Sequence, residues 1–297
     1  MDEPVISPVS GMTRAGELER YRSGERATAT DALATEEPLE IRVVTAERAA
    51  KSLAITMRTP GHDRELALGF LFTEALIDRA DAVRAIEPCG PALGQPPLQN
   101  IIRVSFAPGI SIAEARFDRN FAVTSSCGIC GKASLAALEQ QQIHEIGAGF
   151  SLSSTALLDL PATLRKAQTA FEATGGLHAA ALFDAAGQLL QLREDVGRHN
   201  ALDKLLGWAL AEGRVPLADH AVFLSGRVSF ELVQKARRAG VPLIAAVGAP
   251  SSLAVEACRR FGMTLVGFLR GERFNVYAGA ERVRWEPLRR EPRRAEH

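Results

Sequence analysis

Residues 125–132 read Ser125-Ser126-Cys127-Gly128-Ile129-Cys130-Gly131-Lys132, which sets two thiols two residues apart in a chain with four cysteines. The thiolate, not the thiol, is the nucleophile and metal ligand in cysteine chemistry. Residues 121–124 read as a strand end and 132–141 as a helix with Leu135 and Leu138 on one side, so the pair sits at or just before a helix N-terminus. Free backbone N–H groups there, with the Lys132 ammonium nearby, favour a thiolate; such surroundings lower a thiol from about 8.5 to roughly 3.5–7.5. Gly128 and Gly131 leave the loop bare. Four uses stay open on residue types alone. They are a thioredoxin-like redox dithiol, a zinc site with His178 as a third ligand, sulfur transfer through a persulfide, and two small buried residues at a tight turn. A deaminase-type zinc site would need His-x-Glu, and His178-Ala179-Ala180 lacks that carboxylate.

A second constellation is polar. It comprises Glu194-Asp195-Val196-Gly197-Arg198-His199-Asn200, Ser225-Gly226-Arg227, Gly248-Ala249-Pro250-Ser251-Ser252 and Arg270-Gly271-Glu272-Arg273. Three of these segments lead into predicted helices, whose starts favour anions. Converging arginines there suit a phosphate-bearing ligand; the competing reading is that Gly and Ser serve turns and caps while Arg is solvated. His199 is the best histidine candidate, whereas His62 and His178 taken singly read as structural. Cys258 reads as core, and Cys89 as a loop residue without a role. No Gly-rich nucleotide fingerprint, His-Glu metal helix or nucleophile elbow is present.

The elements that must position these residues are legible from periodicity. Residues 38–44, 52–57, 101–106 and 116–123 read as strands, 90–97 as a loop, and a helix after Thr59-Pro60-Gly61 carries Leu68, Leu71, Phe72 and Ala75 on one face. The second half alternates more regularly. Strands at 178–184 and 188–193 are joined by Ala186-Gly187, and further strands fall at 221–224, 242–247 and 263–268. Helices start near Arg198, run over 228–239, and open at Ser251/Ser252. Such alternation predicts a largely parallel sheet between helices, with ligands beyond the carboxyl ends of its strands. The expected organisation is a mobile polar arm over 1–36, a small α+β domain over 37–120, an α/β domain over 121–284 and a polar tail over 285–297.

Length allows one large or two ordinary domains, and 46% apolar with 24% charged residues is average for a globular protein. Thirty-five Lys plus Arg balance thirty-five Asp plus Glu. That balance draws the chain to neither nucleic acid nor membrane. The N-terminus lacks a secretory pattern and four cysteines cannot form a disulfide scaffold, so a cytoplasmic location is expected.

Taken together, these stretches resemble the FdhD family, the formate dehydrogenase accessory sulfurtransferases. The resemblance rests on Thr59-Pro60-Gly61-His62-Asp63 with residues 68–74, on Ser126 to Lys132, and on Thr174-Gly175-Gly176-Leu177-His178 with residues 179–181. It continues through residues 194–204, 225–231 and Phe268-Leu269-Arg270-Gly271-Glu272-Arg273, so it covers residues 38–283 in order. The resemblance implies a cytidine-deaminase-like three-layer α/β domain with a smaller N-terminal α+β domain, usually as a homodimer. It implies a cytoplasmic sulfurtransferase that takes persulfide sulfur from a cysteine desulfurase. The acceptor would be the bis-molybdopterin guanine dinucleotide molybdenum cofactor of formate dehydrogenase, which guanosine diphosphate (GDP) mimics in part. Cys127 would carry the persulfide with Cys130 as partner, residues 268–273 would bind the cofactor, and no resident metal is expected. A non-catalytic cofactor chaperone and a thioredoxin-like dithiol reductase are the alternatives.

Overall fold

The computed structural model describes residues 11–45, 48–93, 98–110, 121–122, 146–147 and 149–287. An antiparallel hairpin comes first, β1 (Thr13–Arg22) and β2 (Glu25–Ala34). This corrects the expectation of an arm without regular structure. Ser23 and Gly24 both take positive φ (54° and 91°), the requirement of a two-residue type I′ turn. The base of the hairpin is anchored by buried Met12, which packs with Ala170 and Leu177.

Strands β3 (Glu37–Thr45), β4 (Arg48–Arg58), β5 (Val83–Leu93), β6 (Leu98–Phe106) and β7 (Phe121–Ala122) form one sheet in the order β5-β6-β3-β4-β7. Leu39, Ile41, Val43, Ile102, Val104 and Phe106 alternate inward along β3 and β6, the period of a strand with one buried face. The expected loop at 90–97 is shortened, because β5 runs through Gly90, Pro91 and Leu93 as an edge strand, where proline is tolerated. Helix α1 (Asp63–Thr73) packs on β5 and β6, and every residue from Leu66 to Thr73 is buried rather than one stripe.

The second sheet joins β9 (His178–Phe183), β10 (Leu189–Asp195), β11 (Ala221–Leu224), β12 (Leu243–Ala246), β13 (Thr264–Arg270) and β14 (Arg273–Ala278) in the order β10-β9-β11-β12-β13-β14. Only β11, β12 and β13 run as parallel neighbours; β9 is antiparallel to both β10 and β11, and β14 to β13. The expectation of a largely parallel sheet is corrected to a mixed one. The cause is the short Ala186-Gly187 turn, which can join only antiparallel strands. A further small pair joins β8 (Leu152–Ser153) to β15 (Val283–Arg284).

Both faces of the second sheet are apolar. Leu157, Leu160 and Leu164 of α2 (Ser154–Ala167) cover one face, and a one-turn helix, α3 (Thr169–Thr174), follows it. Against the other face lie α4 (Arg198–Ala211), α5 (Phe230–Arg238) and α6 (Ser252–Arg260). Two-sided burial explains the near-continuous apolar runs of these strands. One cluster of buried side chains extends from β3 and β6 through α1 and α4 to β9 and β11–β13, so the expected units 37–120 and 121–284 share a core. The first sheet also reaches past residue 120, since β7 pairs with β4.

Helices α1 and α4 meet backbone to backbone. A Cβ at Gly69 would lie 1.8 Å from the Asp203 carbonyl oxygen, and one at Gly207 would lie 1.9 Å from that of Glu65. Around this crossing sit buried charges. Lys204 Nζ is 2.7 Å from Asp195 Oδ2 and donates to the Thr59 carbonyl at 2.8 Å, while the Thr59 N–H donates to Asp195 Oδ2. Lys235 Nζ donates to Asp203, Thr73 and Glu74, and Arg193 pairs with Glu65 through two hydrogen bonds of 2.5 and 2.7 Å. At the chain end, Trp285 stacks on Phe274 and Glu286 accepts from Thr155 Oγ1 at 2.6 Å, so the first residues of the expected polar tail are tied to the body of the protein. No helix among the described residues is long and apolar enough to cross a membrane.

Removing Lys204 strands the Asp195 carboxylate in the core. Lys204→Met should cost about 3–5 kcal/mol of unfolding free energy, the usual cost of breaking a buried ion pair from one side. The measurement is the urea midpoint at unchanged slope, and a change under 1 kcal/mol, about the worth of an exposed pair, would show that the ammonium is not an essential partner.

Candidate functional site

At one edge of the second sheet, β10, β11, β12 and β13 end and β9 begins, at His178. The polar segments singled out in the sequence leave from these ends. The loops are held by backbone pairing that continues past the strands. Val247 donates to the Leu224 carbonyl, Gly248 to that of Gly226, Val228 to that of Ala249, and Ser251 to that of Val228. Close approach requires glycine here: a Cβ at Gly248 would sit 2.7 Å from the Gly226 carbonyl oxygen.

This framework brings three helix starts together around a cavity of about 300 Å³. Its lining includes Arg198, the first residue of α4, Ser229, the N-cap of α5, and Ser251, the N-cap of α6. Ser251 accepts the Ala254 N–H, whereas Ser229 makes no side-chain cap bond. Arg227 completes the wall. Nε of Arg198 is buried and has no hydrogen-bond partner among the described residues. Two guanidiniums and three positive dipole ends make a cradle for a polyanion such as a diphosphate.

His199 lies beside this cradle, with Nε2 at 3.3 Å from Ser229 Oγ and 3.5 Å from Glu231 Oε2. The bond from His199 is the main reason the Glu231 carboxyl is held down to about 2; burial works against it and Ser229 assists. His178 packs its ring on Gly226, where a Cβ would be 3.2 Å from Nδ1. Burial first, then the charge of Arg198, pushes His178 below the usual imidazole range, so it is neutral at pH 7.

The expected stretch 268–273 closes the same edge. Phe268 holds a left-handed backbone (φ 53°) and donates its N–H to the Gly248 carbonyl at 3.1 Å, which ties it to the cavity wall. A non-glycine residue there stores strain of a kind concentrated at ligand sites. Leu269 is fully buried in the core, while Arg270 and Arg273 face each other across the exposed Gly271-Glu272 turn. Cys127, Cys130 and Lys132 lie outside the described residues. Cys258 is core as expected, its thiol pushed up to about 12 by burial, and Cys89 lies on β5 rather than in a loop.

Much of the segment 194–204 serves the fold instead of the cleft. Glu194, Asp195, Asn200, Asp203 and Lys204 are buried among the clamps, which leaves Arg198 and His199 at the site. Sequence reasoning did not single out Ser229 within residues 225–231; Glu231 follows it by two residues rather than the three of a capping box, and its side chain makes no cap bond.

A mixed α/β body with Arg198, Arg227 and three helix starts gathered at its strand ends is the class that fold and site define. The sequence matches the model of the FdhD/NarQ family over residues 34–284, and the chain belongs to that family. It is 48% identical to the sulfur carrier protein FdhD of Streptomyces avermitilis over 92% of this chain and 96% of that protein. It is 41% identical to the protein of the same name from Sulfurisphaera tokodaii, over 89% and 96%. A crystal structure from Desulfotalea psychrophila, described as a candidate formate dehydrogenase accessory protein, is similar with a TM-score of 0.70 and 27% identity, covering 92% of this chain and 99% of that one.

Because its folded value is depressed, the Glu231 carboxyl adds stability above its ordinary 4.5 and loses it as pH falls toward 2. In His199→Ala the carboxyl should titrate closer to 4.5. Carboxyl-carbon NMR reads this directly, and an unmoved midpoint would remove His199 as the cause.

Proposed function

We propose that the protein is a sulfur carrier that accepts sulfur from a cysteine desulfurase on Cys127 and delivers it to a molybdenum cofactor bearing two pterin guanine dinucleotides, for use by formate dehydrogenase. The observation that carries this reading is the match to proteins named as sulfur carriers over nearly the whole length of both chains. The cradle of Arg198, Arg227 and three helix starts supports it, since guanine dinucleotides bring diphosphates to be held. In this reading the fold is cytidine-deaminase-like without deaminase chemistry, the active form is a cytoplasmic homodimer, and residues 268–273 add to the cofactor surface.

In the first step the Cys127 thiolate attacks the terminal sulfur of the desulfurase persulfide. The donor's S–S bond breaks, its cysteine leaves as thiolate, and Cys127 becomes the persulfide with no net oxidation. Handing sulfur to molybdenum as sulfide takes two electrons. Attack of the Cys130 thiolate on the inner sulfur of Cys127 supplies them: a Cys127–Cys130 disulfide forms and hydrosulfide leaves for the metal. A cellular dithiol then reduces the disulfide.

Incubation with a cysteine desulfurase and cysteine, followed by peptide mass mapping, should add the mass of one sulfur atom to the peptide holding Cys127, and Cys127→Ala should abolish it. An unmodified peptide beside a turning-over desulfurase would overturn the proposal. For the cofactor surface, Arg270→Ala should weaken GDP binding by roughly 1.5–3 kcal/mol if its bonds to phosphate are charge-assisted. Calorimetry with an unchanged dissociation constant would leave the phosphates to Arg198 and Arg227.

A further inference from the structure

The outward face of the first sheet carries an apolar patch at β4. Ile55 and Met57, two residues apart on one strand and so on one face, are 55% and 48% exposed. Register sets exposed Pro38 of β3 directly across from Met57, and Glu40 across from Ile55. Glu40 accepts a hydrogen bond from Arg42 at 2.7 Å, and exposed Ser52 lies across from Arg42, so charged and polar groups border the patch. Tyr21, Leu33, Leu190 and Trp285 are the other large apolar side chains exposed among the described residues, and none is on this sheet. Exposed apolar residues standing singly need no explanation, whereas an apolar group with a polar border is how a protein interface is made.

The patch is held in place, and it stands beside the strand that leads to the thiols. Thr56 Oγ1 donates to Asn200 Oδ1 at 3.1 Å and Asn200 Nδ2 to the Met57 carbonyl at 2.7 Å, which fastens β4 to α4. Along the edge of β4 away from β3, β7 pairs in parallel, with Ala122 beside Ile55. Cys127 follows Ala122 by five residues, so its backbone stays within about 18 Å of that strand end even at full extension. A protein that hands sulfur to Cys127 must bring its own cysteine inside this radius. Three apolar residues suit the core of a small, transient contact that releases its partner after each transfer; permanent homodimer interfaces are larger and more apolar.

From this placement we infer that Pro38, Ile55 and Met57 form the docking surface for the sulfur donor, a protein that presents a cysteine persulfide. The inference rests on the proposed reading of Cys127 as the sulfur carrier and adds where the donor sits. The apolar side chains give the contact its affinity, and the Glu40–Arg42 pair with Ser52 at its border sets the orientation of the partner. Small persulfides need no such surface. Glutathione persulfide loads the same thiolate directly: Cys127 attacks its terminal sulfur, the S–S bond breaks, and the glutathione thiolate leaves.

The test is persulfide loading of the full chain, followed by mass, in the unaltered protein and in the double variant Ile55→Glu with Met57→Glu. With a cysteine desulfurase as donor, the variant should raise KM for the desulfurase by at least about tenfold, with kcat little changed. Glutathione persulfide should load both proteins at the same rate, and light scattering should give both the same assembly state. An unchanged KM would overturn the docking surface while leaving sulfur transfer standing. Slower loading of the variant by glutathione persulfide would also overturn it, by placing the effect on Cys127 itself. A changed assembly state would overturn it as well, by assigning the patch to a second copy. If the variant does not fold, hydroxyl-radical footprinting of the unaltered protein takes its place. Saturating desulfurase should then lower oxidation of Met57 several-fold, and undiminished oxidation would overturn the surface. Failure of both donors to load Cys127 in the unaltered protein would instead overturn the sulfur-carrier reading.

Discussion

The pairing of Lys204 with Asp195 is the contact on which the arrangement depends. Both side chains are fully buried, and removing such ions from water costs several kcal/mol each unless every donor and acceptor is met. Here they are met: the ammonium reaches Asp195 and the carbonyls of Thr59 and Glu194, and the carboxylate takes N–H groups from Thr59, Gly197 and Asn200. Only one placement of the β4–α1 connection, the end of β10 and the first turn of α4 satisfies all of them. The pair therefore works through specificity of arrangement more than through net stability. Arg198 follows Asp195 by three residues, so the clamp also fixes where the cradle's first arginine stands.

The glycine crossing of α1 and α4 extends the same constraint. With no side chains between them, the helices approach closely enough for Asp203 to reach Thr73 at 2.8 Å and for Lys235 to bridge Asp203, Thr73 and Glu74. Arg238 adds bonds to the carbonyls of Phe72 and Ile77 and to Asp78. Helices α4 and α5 are thus fastened to the first sheet's helix, and their N-termini cannot drift apart. A cradle built from helix starts needs that rigidity, because a preorganised site loses less freedom on binding.

The second half of the chain was largely legible because its strands are buried on both faces and its turns carry glycine. The strand ends and the helix starts at Arg198 and Ser251/Ser252 fall where periodicity put them, and α5 begins two residues past the expected residue 228. The first half read less well. Ser23-Gly24 is a hairpin turn signal, yet β1 and β2 have exposed, charged faces and so show no alternation to accompany it. In residues 194–204, sequence shows polar residues but not which way they point. A helix buried on several sides turns Asp203 and Lys204 inward and leaves Arg198 and His199 at the rim.

The distribution of paired and unpaired charge separates structure from function in this molecule. Arg58, Arg193 and Arg238, all buried, each hold a carboxylate, at Asp63, Glu65 and Asp78. Arg198 and Arg227 have no carboxylate partner among the described residues, although the sequence contains as many acidic as basic residues. A half-buried guanidinium with an unsatisfied Nε is costly to keep. Nε of Arg282 is likewise without a partner among the described residues, so what sets Arg198 apart is its place at the strand ends without a carboxylate, which suits the anion of the proposed function. On the proposed function those donors are kept open for a diphosphate, and a carboxylate placed there would stabilise the free protein but occupy them.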